Sequence, residues 1–239
     1  MTSDPLPSPP ARLAVLVSGS GSNLQALLDR FNSAAAAVAR VELVLASRAG
    51  CGALDRARAA AVPDGILPPG EDHEPALIEL LAGHDIDLVI LAGYLRLIPA
   101  SVVRRYRGRI VNIHPALLPA FGGPGMYGER VHSAVLASGV RVSGATVHLV
   151  DERYDSGRIL AQWPVPVLPN DTPRRLAARV LAVEHLLLPL TVEALARPHG
   201  VRPTPACSAF SCSEAAPSAP QISQLLTIES SEPIDARAP

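Results

Sequence analysis

The chain has 239 residues, of which 48% are hydrophobic and only 3% aromatic, and its formal net charge is −1. All of its basic residues are arginine. This excludes a lysine Schiff base and a complete P-loop, because both need a lysine. The nearly balanced charge also gives no electrostatic basis for binding nucleic acid or an anionic membrane.

The two ends of the chain differ in composition from its middle. Residues 1–10 are rich in Pro and Ser, and residues 197–239 are rich in Pro, Ala and Ser without a regular period. Such segments bury too little apolar surface to fold, so we predict a disordered leader, a folded unit over 11–196 and a flexible tail. No stretch resembles a signal peptide or a membrane span, and three cysteines do not make a disulfide framework. We therefore expect a cytoplasmic protein.

Short apolar runs alternate with amphipathic stretches along the folded unit. The predicted elements, in chain order, are a strand over 12–17, a helix over 22–30, a strand over 41–46, helices over 52–61 and 74–82, a strand over 87–92, a helix over 101–106 and a strand over 109–114. This alternation is typical of a doubly wound α/β domain, a mostly parallel sheet with helices on both faces. Residues 145–150 and 159–167 are expected to add strands. A long helix over 171–196 follows, with Asp171 as its N-cap and Pro173 in its first turn.

The first predicted strand ends in the loop SGSGSN, residues 18–23, directly before a predicted helix. Free backbone N–H groups and the helix dipole attract phosphate at such a junction. The dinucleotide fingerprint is incomplete, because Leu24 replaces its third glycine and no acidic residue follows the second strand. The loop predicts a mononucleotide or sugar-phosphate site, with a tight turn capped by serine as the alternative.

Asn112 and His114 lie near the end of the fourth predicted strand, where period two places both on one face. Active sites of doubly wound sheets lie at this edge, and an amide beside an imidazole suits oxyanion stabilisation and proton transfer. Strand capping is the alternative. An acidic segment with Asp151, Glu152 and Asp155 follows a later strand, and a carboxylate near His114 would raise the pKa of that imidazole. For Asp151 and Glu152 the alternative is a solvated loop.

Other sites find less support in the sequence. His114, His132 and His148 are too widely spaced for a zinc motif, and no Gly-x-Ser-x-Gly sequence offers a hydrolase nucleophile. Glu184 and His185 form a polar pair in an otherwise apolar helix. The sequence leaves open whether this pair faces solvent or a ligand.

Five stretches together closely resemble the family of phosphoribosylglycinamide formyltransferases, folate-dependent enzymes of purine synthesis. They are VLVSGSGSNLQALL (15–28), ILAGYLRLIP (90–99), RIVNIHPALLPAF (109–121), GATVHLVDERYDSG (144–157) and ILAQWPVPV (159–167). The resemblance covers about residues 12–196 and implies a single-domain, Rossmann-like formyltransferase fold. The NIHP…LLP motif within 109–121 and the GATVH…D-x-G motif within 144–157 are shared with other formyltetrahydrofolate enzymes. The N-terminal loop, in contrast, is specific to this family.

The resemblance implies transfer of the formyl group of 10-formyltetrahydrofolate, a co-substrate, to the amine of 5'-phosphoribosylglycinamide. It assigns catalysis to Asn112, His114 and Asp155. It assigns the ribonucleotide to Gly21, Ser22, Asn23 and Glu184, and the folate to Leu95, Arg96, Leu97, Ile98 and Asn112. No metal is implied, and the expected partners are small molecules, without nucleic acid or membrane, for a monomer or homodimer.

Two residues depart from the family pattern. His73 stands about where an arginine usually approaches the ligands, and Pro124 would stiffen residues 121–129, which resemble one variant of the substrate loop. The alternatives are a formyltetrahydrofolate deformylase, another formyl-folate transferase, and a non-catalytic sugar-phosphate-binding module. The acceptor distinguishes the first two from the main hypothesis, and the joint presence of the three catalytic candidates argues against the third.

Overall fold

The computed structural model describes residues 9–33 and 38–197. Its strands are β1 (Ala11–Val17), β2 (Ala39–Ala46), β3 (Asp64–Ile66), β4 (Leu88–Leu91), β5 (Ile110–His114), β6 (Val142–Leu149) and β7 (Ile159–Pro166). Its α-helices are α1 (Ser22–Phe31), α2 (Gly52–Ala59), α3 (His73–Gly83), α4 (Ala100–Arg105), α5 (Glu129–Ser138) and α6 (Pro173–Ala196). The strands form one sheet in the order β3-β2-β1-β4-β5-β6-β7.

The sheet is parallel from β3 to β5 and antiparallel at β6 and β7. Strand β1 is buried on both faces, as its continuous apolar sequence predicts. Leu13, Val15 and Val17 join a core that includes residues of α1, α2, α5 and α6, whereas Ala14 and Leu16 join a core with α3 and α4. This confirms the predicted doubly wound fold with helices on both faces.

The order of the strands reverses at β1, which lies between β2 and β4. Chain connections therefore leave β1 and β4 towards opposite faces, and a crevice opens between the carboxyl ends of these strands. The loop after β1 and the segment after β4 border this crevice. Strand β5, which carries Asn112 and His114, is the next strand along the same edge.

Among the described strands and α-helices, β3 and α5 were not predicted from the sequence pattern. Strand β3 has only three residues, which is too short to show a period. Helix α5 begins after Gly128 and ends at Gly139, whose φ of 73° places it in the left-handed region typical of helix ends. Its two fully buried valines, Val131 and Val135, are one helical turn apart, but the glycine-rich sequence before them obscured the start of the helix.

The predicted N-cap of the last helix was wrong by one residue. Thr172 is the N-cap of α6, and its hydroxyl accepts a hydrogen bond from the Arg175 N–H. The carboxylate of Asp171 instead accepts from the Leu168 N–H and pairs with Arg179. Pro173 occupies the first turn, as predicted.

The predicted leader and tail fall almost entirely outside the described residues, so the domain boundaries remain predictions. Within residues 9–33 and 38–197, no helix combines the length and the apolar character that crossing a membrane requires.

Candidate active site

A cleft of about 700 Å³ opens at the carboxyl edge of the sheet. Its walls come from the loop after β1, the segments after β4 and β5, the loop before β7 and one face of α6. Every residue that the sequence analysis assigned to catalysis or binding lines this cleft: Gly21, Ser22, Asn23, Leu95, Arg96, Leu97, Ile98, Asn112, His114, Asp155 and Glu184. The structure therefore brings the whole predicted set together, although it does not by itself assign their roles.

The glycine-rich loop (residues 18–23) leads directly into α1. Gly21 is the N-cap of α1 with φ 78°, and among the described residues no side chain caps this helix. The backbone N–H groups of its first turn are therefore free to bind an anion. This geometry differs from the alternative of a tight turn capped by serine.

Asn23 and Glu184 connect the glycine-rich loop to α6. The Asn23 Nδ2 donates to Glu184 Oε2 over 2.6 Å. Burial raises the pKa of Glu184 to about 7, although this hydrogen bond acts in the opposite direction. The Oδ1 of Asn23 is buried and has no hydrogen-bond partner within the described part of the chain. The sequence left open whether Glu184 and His185 face solvent or a ligand. Glu184 lines the cleft, whereas His185 is not among the lining residues.

Asn112, His114 and Asp155 form one cluster with a fourth residue, His148. The antiparallel pairing of β5 with β6 sets Asn112 opposite His148. The Asn112 Nδ2 lies 3.0 Å from His148 Nε2 and 3.4 Å from Asp155 Oδ1. Because His148 Nδ1 lies 2.8 Å from the Leu149 carbonyl oxygen, we assign the ring proton to Nδ1 and the acceptor to Nε2.

His114 lies between a carboxylate and a backbone carbonyl. Its Nδ1 is 3.5 Å from Asp155 Oδ1, and its Nε2 is 2.9 Å from the Phe121 carbonyl oxygen, to which it donates. Burial lowers the pKa of His114, and this effect outweighs the opposing charge of Asp155. Asp155 therefore acts on this pKa in the expected direction, upward, but the ring is almost completely buried, so the net shift is downward.

The Asp155 carboxylate is held by the connection between β5 and α5. Its carboxylate Oδ2 accepts a hydrogen bond from the Gly123 N–H over 2.8 Å, and its backbone adopts φ 54°. Burial would raise the pKa of Asp155, but the imidazoles of His148 and His114 and the Gly123 N–H together lower it. The carboxylate therefore stays ionised in the cleft.

The other two acidic residues of this segment, Asp151 and Glu152, do not line the cleft. Asp151 accepts hydrogen bonds from the Ser156 hydroxyl and the Arg153 N–H and so shapes the turn. Of this segment, Arg153, Tyr154 and Asp155 line the cleft. Asp151 and Glu152 are not among the lining residues, which agrees with the alternative of a loop-shaping or solvated role.

Residues 95–98 present an apolar surface to the cleft. Leu95 and Leu97 remain 49% and 45% exposed, which is unusual for leucine in a folded domain. The Leu95 N–H donates to the Ser18 hydroxyl over 3.1 Å. The Arg96 guanidinium donates to the carbonyl oxygens of Leu67, Pro68 and Ser47. Arg96 thus anchors this segment to the ends of β2 and β3.

The two departures from the family pattern have clear positions. His73 is buried, and its Nε2 lies 2.7 Å from the Tyr94 hydroxyl, so it supports the segment after β4 and is not among the cleft-lining residues. Pro124 lines the cleft between Gly123 and Gly125, which both have positive φ. Proline thus restricts the central residue of a strongly curved loop.

The sequence analysis did not assign two histidines that line the cleft, His132 and His148. His148 shares a strand face with Thr146, and that period-two pattern was the available signal. His132 lies on α5, a helix that was not predicted. Burial, together with the charge of His114, lowers its pKa, and its Nδ1 has no partner among the described residues.

Among residues 9–33 and 38–197, no group of three or more His, Cys, Asp or Glu side chains is arranged to hold a metal ion. His114 and His148 are instead paired with amide, carbonyl and carboxylate groups.

The topology and the position of the cleft define a Rossmann-like α/β protein with its cleft at the switch point of the sheet. Residues 11–192 match the formyl transferase family, and the chain belongs to this family.

Several relatives in this family carry a more specific name. A phosphoribosylglycinamide formyltransferase of Mycobacterium tuberculosis (strain ATCC 25618 / H37Rv) is 45% identical over 204 residues, which are 82% of this chain and 89% of the relative. A chloroplastic enzyme of the same name from Vigna unguiculata is 47% identical over 189 residues, covering 77% of this chain. The match spans only 60% of the length of that plant protein.

Solved structures give the same result for the fold. The crystal structure of a phosphoribosylglycinamide formyltransferase from Brucella melitensis superimposes with a TM-score of 0.72 at 40% sequence identity. The superposition covers 79% of this chain and 96% of that structure.

Proposed function

We propose that this chain transfers the formyl group of 10-formyltetrahydrofolate to the primary amine of 5'-phosphoribosylglycinamide, a step of de novo purine synthesis. The observation that carries the proposal is one cleft that contains an anion-binding loop, an Asn–His–Asp cluster and an apolar wall. The names of the relatives support formyl transfer to phosphoribosylglycinamide. The proposed partners are therefore these two small molecules.

The ribonucleotide would bind along α1 and α6. Its phosphate would accept hydrogen bonds from the backbone N–H groups of Gly21, Ser22 and Asn23, which the dipole of α1 reinforces. Ionised Glu184 would accept hydrogen bonds from the ribose hydroxyls. The glycinamide amine would then extend towards Asn112 and His114.

The folate would bind against the apolar wall. Leu97 and Ile98 offer apolar surface to the pteridine ring, and the backbone of residues 95–98 offers hydrogen-bond partners. Because Arg96 is engaged with three carbonyl oxygens, its contribution would be to hold this backbone in place.

The chemical step would be a direct acyl transfer. The amine nitrogen attacks the formyl carbon, a C–N bond forms, and the carbonyl π electrons move to the oxygen to give a tetrahedral oxyanion. The bond from that carbon to N10 of the folate then breaks, N10 takes a proton, and the amine nitrogen loses one. The products are formylglycinamide ribonucleotide and tetrahydrofolate.

Asn112 and His114 would stabilise the oxyanion. The Asn112 N–H that makes the long 3.4 Å contact with Asp155 is the donor most easily redirected, and His114 would redirect the Nε2–H that it donates to the Phe121 carbonyl oxygen. Negative charge on the formyl oxygen would raise the pKa of His114 and favour the imidazolium. Asp155 would stabilise that cation and carry the proton between the two nitrogens, through water.

The test is a formyl-transfer assay with and without the ribonucleotide, on the wild type and on His114→Ala. We expect ribonucleotide-dependent turnover that falls by about a hundredfold or more in the variant, since one oxyanion donor is worth that much. His84→Ala, which changes a histidine at the end of α3, is the matched control and should retain full activity.

The other outcomes separate the alternatives. Consumption of the folate without the ribonucleotide would indicate a deformylase. Transfer to a different amine only would indicate another formyl-folate transferase. Binding of the ribonucleotide without any turnover would favour a non-catalytic module.

A further inference from the structure

Three backbone carbonyl groups of the glycine-rich loop, those of residues 18–20, accept hydrogen bonds on the side of the loop that faces away from the cleft. The donors belong to the rear segment (residues 48–56), which contains the end of the β2–α2 connection and the first turns of α2. Three consecutive carbonyl oxygens accept from it: Ser18 from Arg48 Nε at 3.1 Å, Gly19 from Cys51 Sγ at 2.9 Å and the Ala53 N–H at 3.3 Å, and Ser20 from Arg56 Nε at 2.9 Å.

The direction of these carbonyl groups determines the direction of the N–H groups in the loop. In a planar trans peptide the C=O and N–H bonds point in opposite directions. A Gly19 carbonyl directed to the rear segment therefore turns the Ser20 N–H towards the cleft, and a Ser20 carbonyl directed the same way turns the Gly21 N–H towards it. Successive N–H groups on one side form an anion-binding concavity, without carbonyl oxygens that would repel the anion.

The loop also lies directly on α2. A Cβ atom at Gly21 would lie 2.6 Å from the Ala53 Cβ and 3.3 Å from the Arg56 Cδ. The loop therefore cannot move further back, and the hydrogen bonds prevent it from moving forward into the cleft.

Arg56 has the most connections in the rear segment. Besides the bond to Ser20, its Nη1 donates to Gln25 Oε1 over 3.0 Å, so one guanidinium ties the loop to α1. None of Arg48, Cys51, Ala53 and Arg56 is among the residues that line the cleft. Arg56 therefore does not contact an anion in the cleft, and its hydrogen bonds act on the anion through the loop.

We propose that Arg56 is a positioning residue for the substrate phosphate: its two-point hydrogen bonding to Ser20 and Gln25 fixes the peptide groups that bind the anion. The identity of the phosphorylated ligand rests on the proposed function, whereas the geometry of the loop does not.

The test compares three variants. Arg56→Met removes the donors and keeps most of the apolar stem. Arg56→Lys keeps the charge but cannot reproduce the planar fork that spans both acceptors. Arg58→Met is the matched control, because Arg58 belongs to the same helix but pairs with Asp55 and Asp64. Thermal unfolding is measured for all three.

The first readout is steady-state kinetics. We expect Arg56→Met to raise the KM for the ribonucleotide about tenfold, equivalent to one hydrogen bond to a charged group. The kcat and the KM for the folate should change less than about threefold, because Arg56 does not line the cleft. Arg56→Lys should raise the same KM selectively but by a smaller factor, and Arg58→Met should match the wild type.

The second readout needs no turnover and uses ribose 5-phosphate as the probe, with its Kd measured by calorimetry. The Kd should rise by the same factor in Arg56→Met. If the wild type binds the probe but transfers no formyl group, the proposed function fails while this test remains valid.

Four results would overturn the positioning role. The first two are an unchanged Kd in Arg56→Met and an equally large rise of the KM in Arg58→Met. The third is a wild-type KM in Arg56→Lys, which would mean that charge alone suffices. The fourth is a wild type that does not bind the probe.

Discussion

Asn23 and Glu184 are 161 positions apart in the chain and are joined by a 2.6 Å hydrogen bond between the start of α1 and the middle of α6. Glu184 is 7% exposed, and burial raises the pKa of its carboxyl group to about 7. A group that titrates near neutrality at the edge of a binding cleft couples the protonation state of the protein to its stability and to its affinity for a ligand. Two predictions concern this pair.

The first prediction concerns the stability of Glu184→Gln. The folded state raises the pKa of Glu184 from 4.5 to about 7, so it binds this proton more tightly than the unfolded chain does. The contribution of Glu184 is therefore most favourable below pH 4.5 and is lost as pH rises to 7. At pH 8 the ionised carboxyl costs up to about 3 kcal/mol. Glutamine cannot ionise and still accepts from Asn23.

Urea unfolding at pH 5 and pH 8 measures this effect. Glu184→Gln should be within about 1 kcal/mol of the wild type at pH 5 and clearly more stable at pH 8. Glu79→Gln, at an exposed position on α3, is the control and should show no difference at either pH. A Glu184→Gln variant that is less stable than the wild type at pH 8 would contradict the assignment of a buried, costly charge.

The second prediction concerns affinity. If ionised Glu184 accepts hydrogen bonds from the ribose, the KM for the ribonucleotide should increase as pH falls below about 7. The substrate phosphate also titrates near pH 6, so the informative quantity is the difference between wild type and Glu184→Gln. We expect the variant to have a KM about tenfold higher at pH 8, with the two KM values converging towards pH 6. Parallel pH profiles would exclude Glu184 as the titrating group.

The third prediction concerns Asp155→Asn. Asparagine tolerates the positive φ of this position better than most residues, so the variant removes the charge with little change to the backbone. Because Asp155 opposes the effect of burial on His114, its neutralisation should lower the pKa of His114 further. The kcat should fall by about a hundredfold or more, because the imidazolium loses its counter-charge.

Imidazole NMR titration and steady-state kinetics test both parts of this prediction. Asp151→Asn is the matched control, since Asp151 belongs to the same loop but is absent from the cleft lining. It should retain the kcat and leave the His114 resonance unchanged. An unchanged pKa of His114 in Asp155→Asn would show that the two groups are not coupled.

Local signals explain what could be predicted from the sequence. Strand β1 is apolar at every position of Leu13–Val17, and α1 repeats leucine at helical spacing. The type of each element, strand or helix, and the order of the elements along the chain therefore follow from local patterns. The position of the candidate site follows from the rule that doubly wound sheets bind ligands at their carboxyl edge. Asn112 and His114 were therefore recognisable before any packing was known.

Long-range packing explains what could not be predicted. The contact of Asn112 with His148 depends on the register of an antiparallel pair, which local sequence does not specify. The direction of the pKa shift of His114 depends on how completely the fold buries the ring. Likewise, the hydrogen bonds from the rear segment to the glycine-rich loop join residues about 30 positions apart.

The fourth prediction concerns Gly157, which ends the turn that carries Asp155. A Cβ atom at this position would collide with the backbone carbonyl of Leu149 at the end of β6, and neither backbone can yield without moving the loop. Gly157→Ala should therefore lower the free energy of unfolding by about 3 kcal/mol and reduce kcat, because the Asp155 carboxylate would move away from His114.

Gly83→Ala is the control: nothing lies within 4 Å of its added Cβ, and at the end of α3 it should be neutral or stabilising by up to about 1 kcal/mol. Urea unfolding and turnover measured on both variants decide the matter, and a fully active, equally stable Gly157→Ala would mean that this turn does not constrain Asp155.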